Sequence, residues 1–272
     1  MLNALFRRFQ VACQIVGTLH SGILNRVTVA ILPHSGFLYR HGRPIFALLP
    51  TKMEGISMQR EAYLVGVAGG SGSGKTSLVR ALRESLPEGL VSVVSQDDYY
   101  FPKDRQAVDG NGQINFDLPT AIDLDTMSKD LRLLVNGEAI YRPEYTFNND
   151  EVEPRWLEVK PSPVVLVEGL FVLHHEPIRK LFDLRVFIEA TEESQLKRRL
   201  KRDAVERGYG EAEVRYQWNN HVMPAYRNFL LPYRHHCDLH VVNEAGFERA
   251  LAVLRNHLMQ VAGVNELLPQ PL

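Results

Sequence analysis

The chain has 272 residues, 45% of them hydrophobic, and a formal net charge of −1 at pH 7. That length can bury a full core in one domain, or in one domain with an appendage. The balanced charge offers no global attraction to nucleic acid or to a membrane surface, and no apolar stretch is long enough to cross a bilayer. The two cysteines, Cys13 and Cys237, lie far apart without metal-ligand spacing, so both read as reduced thiols of a cytoplasmic protein.

Residues 1–57 carry six basic residues (Arg7, Arg8, Arg26, Arg40, Arg43, Lys52) and one acidic residue, Glu54. They lack clean periodicity. A basic, acid-poor start is compatible with a transit peptide, whereas Gln10 and Gln14 interrupt the apolar core that a secretory signal needs. The residues favour a third reading, an extension with no folded role ahead of a functional unit spanning 58–272.

From residue 58 onward the pattern alternates strand and helix. The apolar run Tyr63–Val67 predicts a strand, and a helix follows to about Glu84. Between them stands Gly69-Gly70-Ser71-Gly72-Ser73-Gly74-Lys75-Thr76, the phosphate-loop pattern G-x-x-x-x-G-K-[ST] in its required strand-to-helix setting. Glycines let the backbone N–H groups turn inward around a polyphosphate, and the helix N-terminus adds partial positive charge. The expected phosphate-binding set is Gly69, Gly70, Ser71, Gly72, Ser73, Gly74, Lys75, Thr76 and Ser77. Lys75 is expected on the β/γ-phosphates and the Thr76 hydroxyl on Mg²⁺, with ATP or GTP as donor.

A short strand over Val91–Val94 runs into Ser95-Gln96-Asp97-Asp98-Tyr99-Tyr100, where a carboxylate can face the phosphates and accept a hydroxyl proton. Residues 120–135 have helical spacing, and a hairpin is expected over Ile140–Val159, turning at Asn148-Asn149-Asp150. The continuous apolar run Pro163–Val167 predicts a strand buried on both faces, and Glu168 just past it is a candidate Mg²⁺ ligand. Further elements are a strand at Leu184–Ile188, helices over about 192–207 and 211–230, a strand at Leu239–Val242 and a helix from Phe247. On the first of those helices, Arg198 and Arg199 fall at i+4 and i+3 spacing from Arg202, able to gather guanidinium groups over a phosphoryl group. The expected fold is therefore an α/β P-loop NTPase: a parallel sheet flanked by helices, with a small β-hairpin substrate element and an Arg-rich helical lid.

The phosphate loop, Ser95–Tyr100, Asn115-Phe116-Asp117-Leu118-Pro119, Val167-Glu168-Gly169 and the run Lys197–Gly208 occur in an order that resembles the uridine/cytidine kinases, within the uridine kinase and phosphoribulokinase group. The resemblance covers about residues 60–260. It implies ATP-dependent phosphorylation of a nucleoside 5′-hydroxyl, in pyrimidine salvage. It further implies Asp97 as general base, Lys75, Arg202 and Arg207 as catalytic cations, and Asp117 on the ribose hydroxyls. Tyr145, Phe147, Arg199 and Gln217 would contact the substrate. The family's pyrimidine-reading histidine is replaced near Asp150, and Tyr209 stands where an arginine sometimes occurs. Nicotinamide riboside, another nucleoside or a non-nucleoside alcohol therefore stay open as acceptors, as does a homo-oligomeric state. A GTPase switch lacks support, because no N-K-x-D segment follows the loop. A motor or assembly ATPase would hydrolyse ATP without an acceptor.

Overall fold

The computed structural model describes residues 62–146 and 153–264, together with a two-residue antiparallel pairing of Tyr39–Arg40 with Arg43–Pro44. The chain divides between Ile56 and Ser57, and the architecture that follows belongs to the second unit. Apart from that pairing, the reading of residues 1–57 lies outside the described residues, as do Phe147 and the expected turn at 148–150.

Five strands form one parallel sheet: β1 (Tyr63–Ala68), β2 (Val91–Ser95), β3 (Val164–Gly169), β4 (Leu184–Glu189) and β5 (Leu239–Val242), in the spatial order β5-β4-β1-β3-β2. The central strands β1, β3 and β4 are almost wholly buried because helices cover both faces, which is why their sequences are continuous apolar runs. Alternate side chains feed two cores. Val65, Val67, Leu166, Val186 and Ile188 pack with Leu78 and Leu82 of α1 (Lys75–Ser85) and Leu254 and Leu258 of α5 (Glu248–Val261). Leu64, Val165, Val167 and Phe187 pack on the other face with Met127, Leu131 and Leu134 of α2 (Leu124–Val135). Asp123 caps α2, its carboxylate accepting from Thr126 N–H at 3.0 Å.

The register brings the carboxyl ends of the strands to one level. Glu168 of β3 stands opposite Val67 of β1 and Ser95 of β2. Ligands of such sheets bind past these ends, where the strand order reverses direction around β1 and β3.

Three features differ from expectation. Beyond β2 the chain turns at once into a 3₁₀ turn, Gln96–Tyr99, capped by the Ser95 hydroxyl accepting from Asp97 N–H at 3.2 Å. A small hairpin, Ala107–Val108 with Ile114–Asn115, precedes Asp117. The expected helix 211–230 is α4 (Glu211–Gln217) followed by π-helical turns Trp218–Val222 and Tyr226–Leu230 around Met223–Ala225. Pro224 lies between the two wide turns. It lacks an N–H, and its ring would collide with the carbonyl four residues back, so a regular helix cannot continue.

Candidate active site

The phosphate loop is a tight turn closed by Ser73 N–H donating to Gly70 O at 3.1 Å. Gly72 and Gly74 have φ of +77° and +102°, the left-handed region that side chains avoid. A Cβ on Gly72 would also meet the Gln195 carbonyl of α3 (Glu192–Glu206), and one on Gly74 would meet the Asn243 amide. The loop is thus braced from outside. Asn243 Nδ2 donates to Ser73 O at 2.8 Å, and Arg198 Nη2 donates to Asn243 O at 2.7 Å. Arg198 serves as this brace, with a longer contact to Gly72 O at 3.4 Å, and does not face the cavity with Arg199 and Arg202.

The two residues expected at Mg²⁺ lie side by side: the Thr76 hydroxyl donates to Glu168 Oε1 at 2.9 Å. Burial pushes the Glu168 carboxyl above its ordinary range, while Lys75 and the Thr76 hydroxyl pull it down. Lys75 Nζ donates to Gly70 O at 3.1 Å. Burial pushes its ammonium down and Arg202 adds to that, against the upward pull of Glu168 and Asp97. A buried carboxylate beside a hydroxyl at a helix N-terminus is a hard-oxygen donor pair. It suits Mg²⁺, which takes one or two protein ligands and completes its shell with water and phosphate oxygens. Among the described residues no group of three or more His, Cys, Asp or Glu could enclose a metal ion.

The segment 95–100 divides its work residue by residue. Gln96 is fully buried, and its Oε1 accepts from Phe171 N–H at 2.8 Å, tying the end of β2 to the end of β3. Asp97 faces the cavity. Asp98 turns toward the hairpin Ile140–Pro143/Trp156–Val159: its Oδ1 accepts from Tyr145 N–H at 3.3 Å and its carbonyl accepts from Arg142. Tyr99 donates to Asp130 at 2.9 Å beneath the Arg142 guanidinium, which lies 3.1 Å from its ring centroid. Tyr100 joins Phe116 and Tyr145 in an aromatic wall, with ring centroids 6.1 and 5.2 Å from its own.

The lid arginines are gathered by a residue that sequence reasoning gave no role. Asp203 is fully buried, with Arg199 Nε at 3.0 Å, Arg202 Nη2 at 2.7 Å and Arg207 Nη1 at 3.7 Å from its carboxylate. Arg199 also donates to Ser71 Oγ and to Gln217 Oε1, both at 2.9 Å, linking the lid to the phosphate loop and to α4. A carboxylate shared by three guanidiniums holds them at fixed positions despite their mutual repulsion.

These elements enclose a cavity of about 630 Å³. Lys75, Thr76, Asp97, Asp117, Tyr145, Glu168, Arg199, Arg202, Arg207 and Gln217 all line it, as does Ser71 of the loop. Of the remaining expected residues, Gly69, Gly70, Gly72, Ser73 and Gly74 shape the loop's backbone, while Ser77 is exposed in the first turn of α1. Asp117 is buried, and burial pushes its carboxyl up while Arg199, His221, Arg207 and Arg202 pull it down. Tyr100, Lys103, Phe116, Tyr209 and His221 line the cavity without having been singled out as site residues. Five cationic side chains face three carboxylates there, a balance that suits an anionic ligand. Among the described residues no helix is long and apolar enough to cross a membrane. Cys237 is free, with burial pushing its thiol up to about 11.

Comparison with known proteins agrees with this geometry. The profile of the phosphoribulokinase/uridine kinase family matches residues 64–245. A uridine kinase of Brevibacillus brevis is 34% identical over 186 residues, 68% of this chain and 86% of that protein. A uridine kinase of Streptococcus uberis is 32% identical over 182 residues, 67% of this chain and 87% of that protein. A solved structure named as a candidate fructose transport system kinase, from Silicibacter sp. TM1040, superposes with a TM-score of 0.50 at 19% identity. It covers 71% of this chain and 92% of its own, and at that identity it supports the fold alone. With a phosphate loop, a helix-flanked parallel sheet and a family match across both, the chain belongs to the phosphoribulokinase/uridine kinase family, as a phosphotransferase with an alcohol acceptor.

Proposed function

We propose that this protein transfers the γ-phosphoryl group of ATP to the 5′-hydroxyl of a nucleoside, with uridine and cytidine as first candidates. The observation that carries the reading is one cavity lined together by residues of the phosphate loop, by an aromatic wall and by Asp97. Tyr100, Phe116 and Tyr145 offer flat apolar surface to a base, and Asp117 offers a carboxylate to sugar hydroxyls. The related uridine kinases lend the substrate class.

In the proposed reaction Asp97 accepts the proton of the acceptor hydroxyl. The oxygen's electron pair forms the new O–P bond as the bond to the ADP leaving oxygen breaks, with the electrons departing on ADP. Lys75 and Arg202, close enough to act on one another electrostatically, hold the phosphate chain and offset its charge. Arg199, Arg207 and Arg202 all act on the Asp117 carboxyl, and Arg199 also reaches Ser71 of the phosphate loop, so the lid arginines span the donor and acceptor sides. Thr76 and Glu168 would hold Mg²⁺, which when bound neutralises charge on the β- and γ-phosphate oxygens. The catalytic unit is taken as 58–272, acting in the cytoplasm, with residues 1–57 as an extension.

Label transfer from γ-labelled MgATP to a panel of uridine, cytidine, purine nucleosides, nicotinamide riboside and non-nucleoside alcohols tests this reading. The label should appear on uridine or cytidine at the highest rate. Transfer only to non-nucleoside alcohols, or only to water, would overturn it.

A further inference from the structure

The hairpin Ile140–Pro143/Trp156–Val159 leads to Tyr145, which lines the cavity. Its strands are four residues each, and a hairpin of that size is at best marginally stable alone. Its outer face, with Tyr141 and Trp156, is exposed and gains nothing by burial. At the end where the strands enter and leave, Ile140 joins the core beside α2 and Val159 packs against it. Nearer Tyr145 the anchor is polar, and it is built around Arg142.

Arg142 draws three elements together. Its Nη1 lies 3.2 Å from Asp130 Oδ2 of α2, the oxygen that also accepts from the Tyr99 hydroxyl. Its Nη2 donates to the Asp98 carbonyl, and its guanidinium lies over the Tyr99 ring. The Arg142 and Asp130 side chains are only 12% and 18% exposed, so water screens the pair little. The Asp98 carbonyl is one residue past Asp97. Asp97 therefore stands between two fixed points, the Ser95 hydroxyl on its own N–H and Arg142 on the carbonyl of the next residue. The same turn receives the hairpin's other tie, Tyr145 N–H donating to Asp98 Oδ1 at 3.3 Å.

We propose that Arg142 is a positioning residue for both halves of the acceptor site. Through the Asp98 carbonyl it sets where Asp97 stands, and through the hairpin it sets where Tyr145 stands. Proton acceptor and aromatic wall are then registered to one guanidinium, so an acceptor seated against Tyr145 presents its hydroxyl to Asp97. The chemical step is steep in distance: a displacement on the order of 1 Å, caused by a change outside the reacting groups, can cost about 10²-fold. Lysine cannot replace this residue, because one ammonium cannot reach Asp130 and the Asp98 carbonyl together while covering the Tyr99 ring. The inference rests on the assignment of Asp97 as the base.

A double-mutant cycle of Arg142→Met and Asp97→Asn tests this, with kcat and KM measured for MgATP and for the fastest acceptor of the panel above. Alone, Arg142→Met should lower kcat about tenfold and raise KM for the acceptor about threefold or more, with KM for ATP within about twofold of wild type. In the Asp97→Asn background the same substitution should change kcat by less than about twofold, because it acts through a base already removed. The rise in acceptor KM should persist there, since it acts through Tyr145. Arg142→Lys should melt closer to wild type than Arg142→Met yet keep kcat low, and it carries the same cycle if Arg142→Met does not fold. Wild-type kcat and KM in both Arg142 variants would overturn the proposal. So would kcat effects that add in full while Asp97→Asn is itself impaired, which would leave Arg142 a structural tie and the base assignment intact. If Asp97→Asn alone turns over like wild type, the base assignment fails and this inference fails with it.

Discussion

Replacing Lys75 by alanine should lower kcat by about 10²-fold or more, the span measured for single preorganised charge stabilisers. The ammonium lies in a buried site against Glu168 and Asp97, and burial already works against its charge. A cation in that setting suits an anion stronger than its protein neighbours, and on the proposed function that anion is the nucleotide polyphosphate. Removing it leaves two carboxylates facing the phosphate chain with less to offset them. Steady-state kinetics with MgATP and uridine check this, with a melting curve of the variant to show that the sheet is intact. Turnover near the wild-type level would reject the phosphate-loop assignment.

The second large effect separates two adjacent aspartates. Asp97→Asn should lower kcat by about 10²–10⁴-fold with nucleotide affinity nearly unchanged, because a positioned base acts on the chemical step. Asp98→Asn should leave the chemical step far less affected. Its carboxylate accepts from Tyr145 N–H and its carbonyl from Arg142, so it anchors the hairpin and does not line the cavity. The weaker variant is therefore expected to change KM for the nucleoside, through Tyr145, more than kcat. Single-turnover phosphoryl transfer at saturating MgATP and acceptor distinguishes the two. An inactive Asp98→Asn beside an active Asp97→Asn would show that the base is misassigned.

A strand continuing past Ser95 would send neighbouring side chains to opposite faces. The strand instead ends at Ser95, and the pair sits in a 3₁₀ turn, where successive side chains diverge by about 120°. Asp97 lines the cavity and Asp98 does not, a division set by the Ser95 cap and the Gln96 tie to Phe171.

What could be read in the sequence was the part governed by local pattern. The runs that form β1, β3 and β4 are apolar throughout because both faces are covered, and the phosphate loop is written in contiguous residues. The parts that escaped depend on contacts distant in sequence. Asp203 sits in a helix crowded with Lys and Arg, where a carboxylate reads as one more solvated charge. Its total burial under three arginines follows only from the packing of α3. Arg198 and Arg199 looked equivalent by spacing, but the turn of the helix sends one behind the loop and the other into the cavity. The hairpin at 107–115 has strands of two residues, too short for an alternating pattern, although Asp109-Gly110-Asn111-Gly112 carried a turn signal. His221 was available at four residues from Gln217, yet a lone histidine on a helix gives no sign of which face it takes until Pro224 and the wide turns are seen.

ADP release from MgATP, measured with and without uridine while the product is followed, tests the central claim most directly. The account predicts little ADP without an acceptor. With uridine it predicts one ADP for each 5′-monophosphate formed. ADP release at the same rate in both conditions, with free phosphate and no nucleoside monophosphate, would mark the protein as a hydrolase and contradict the account.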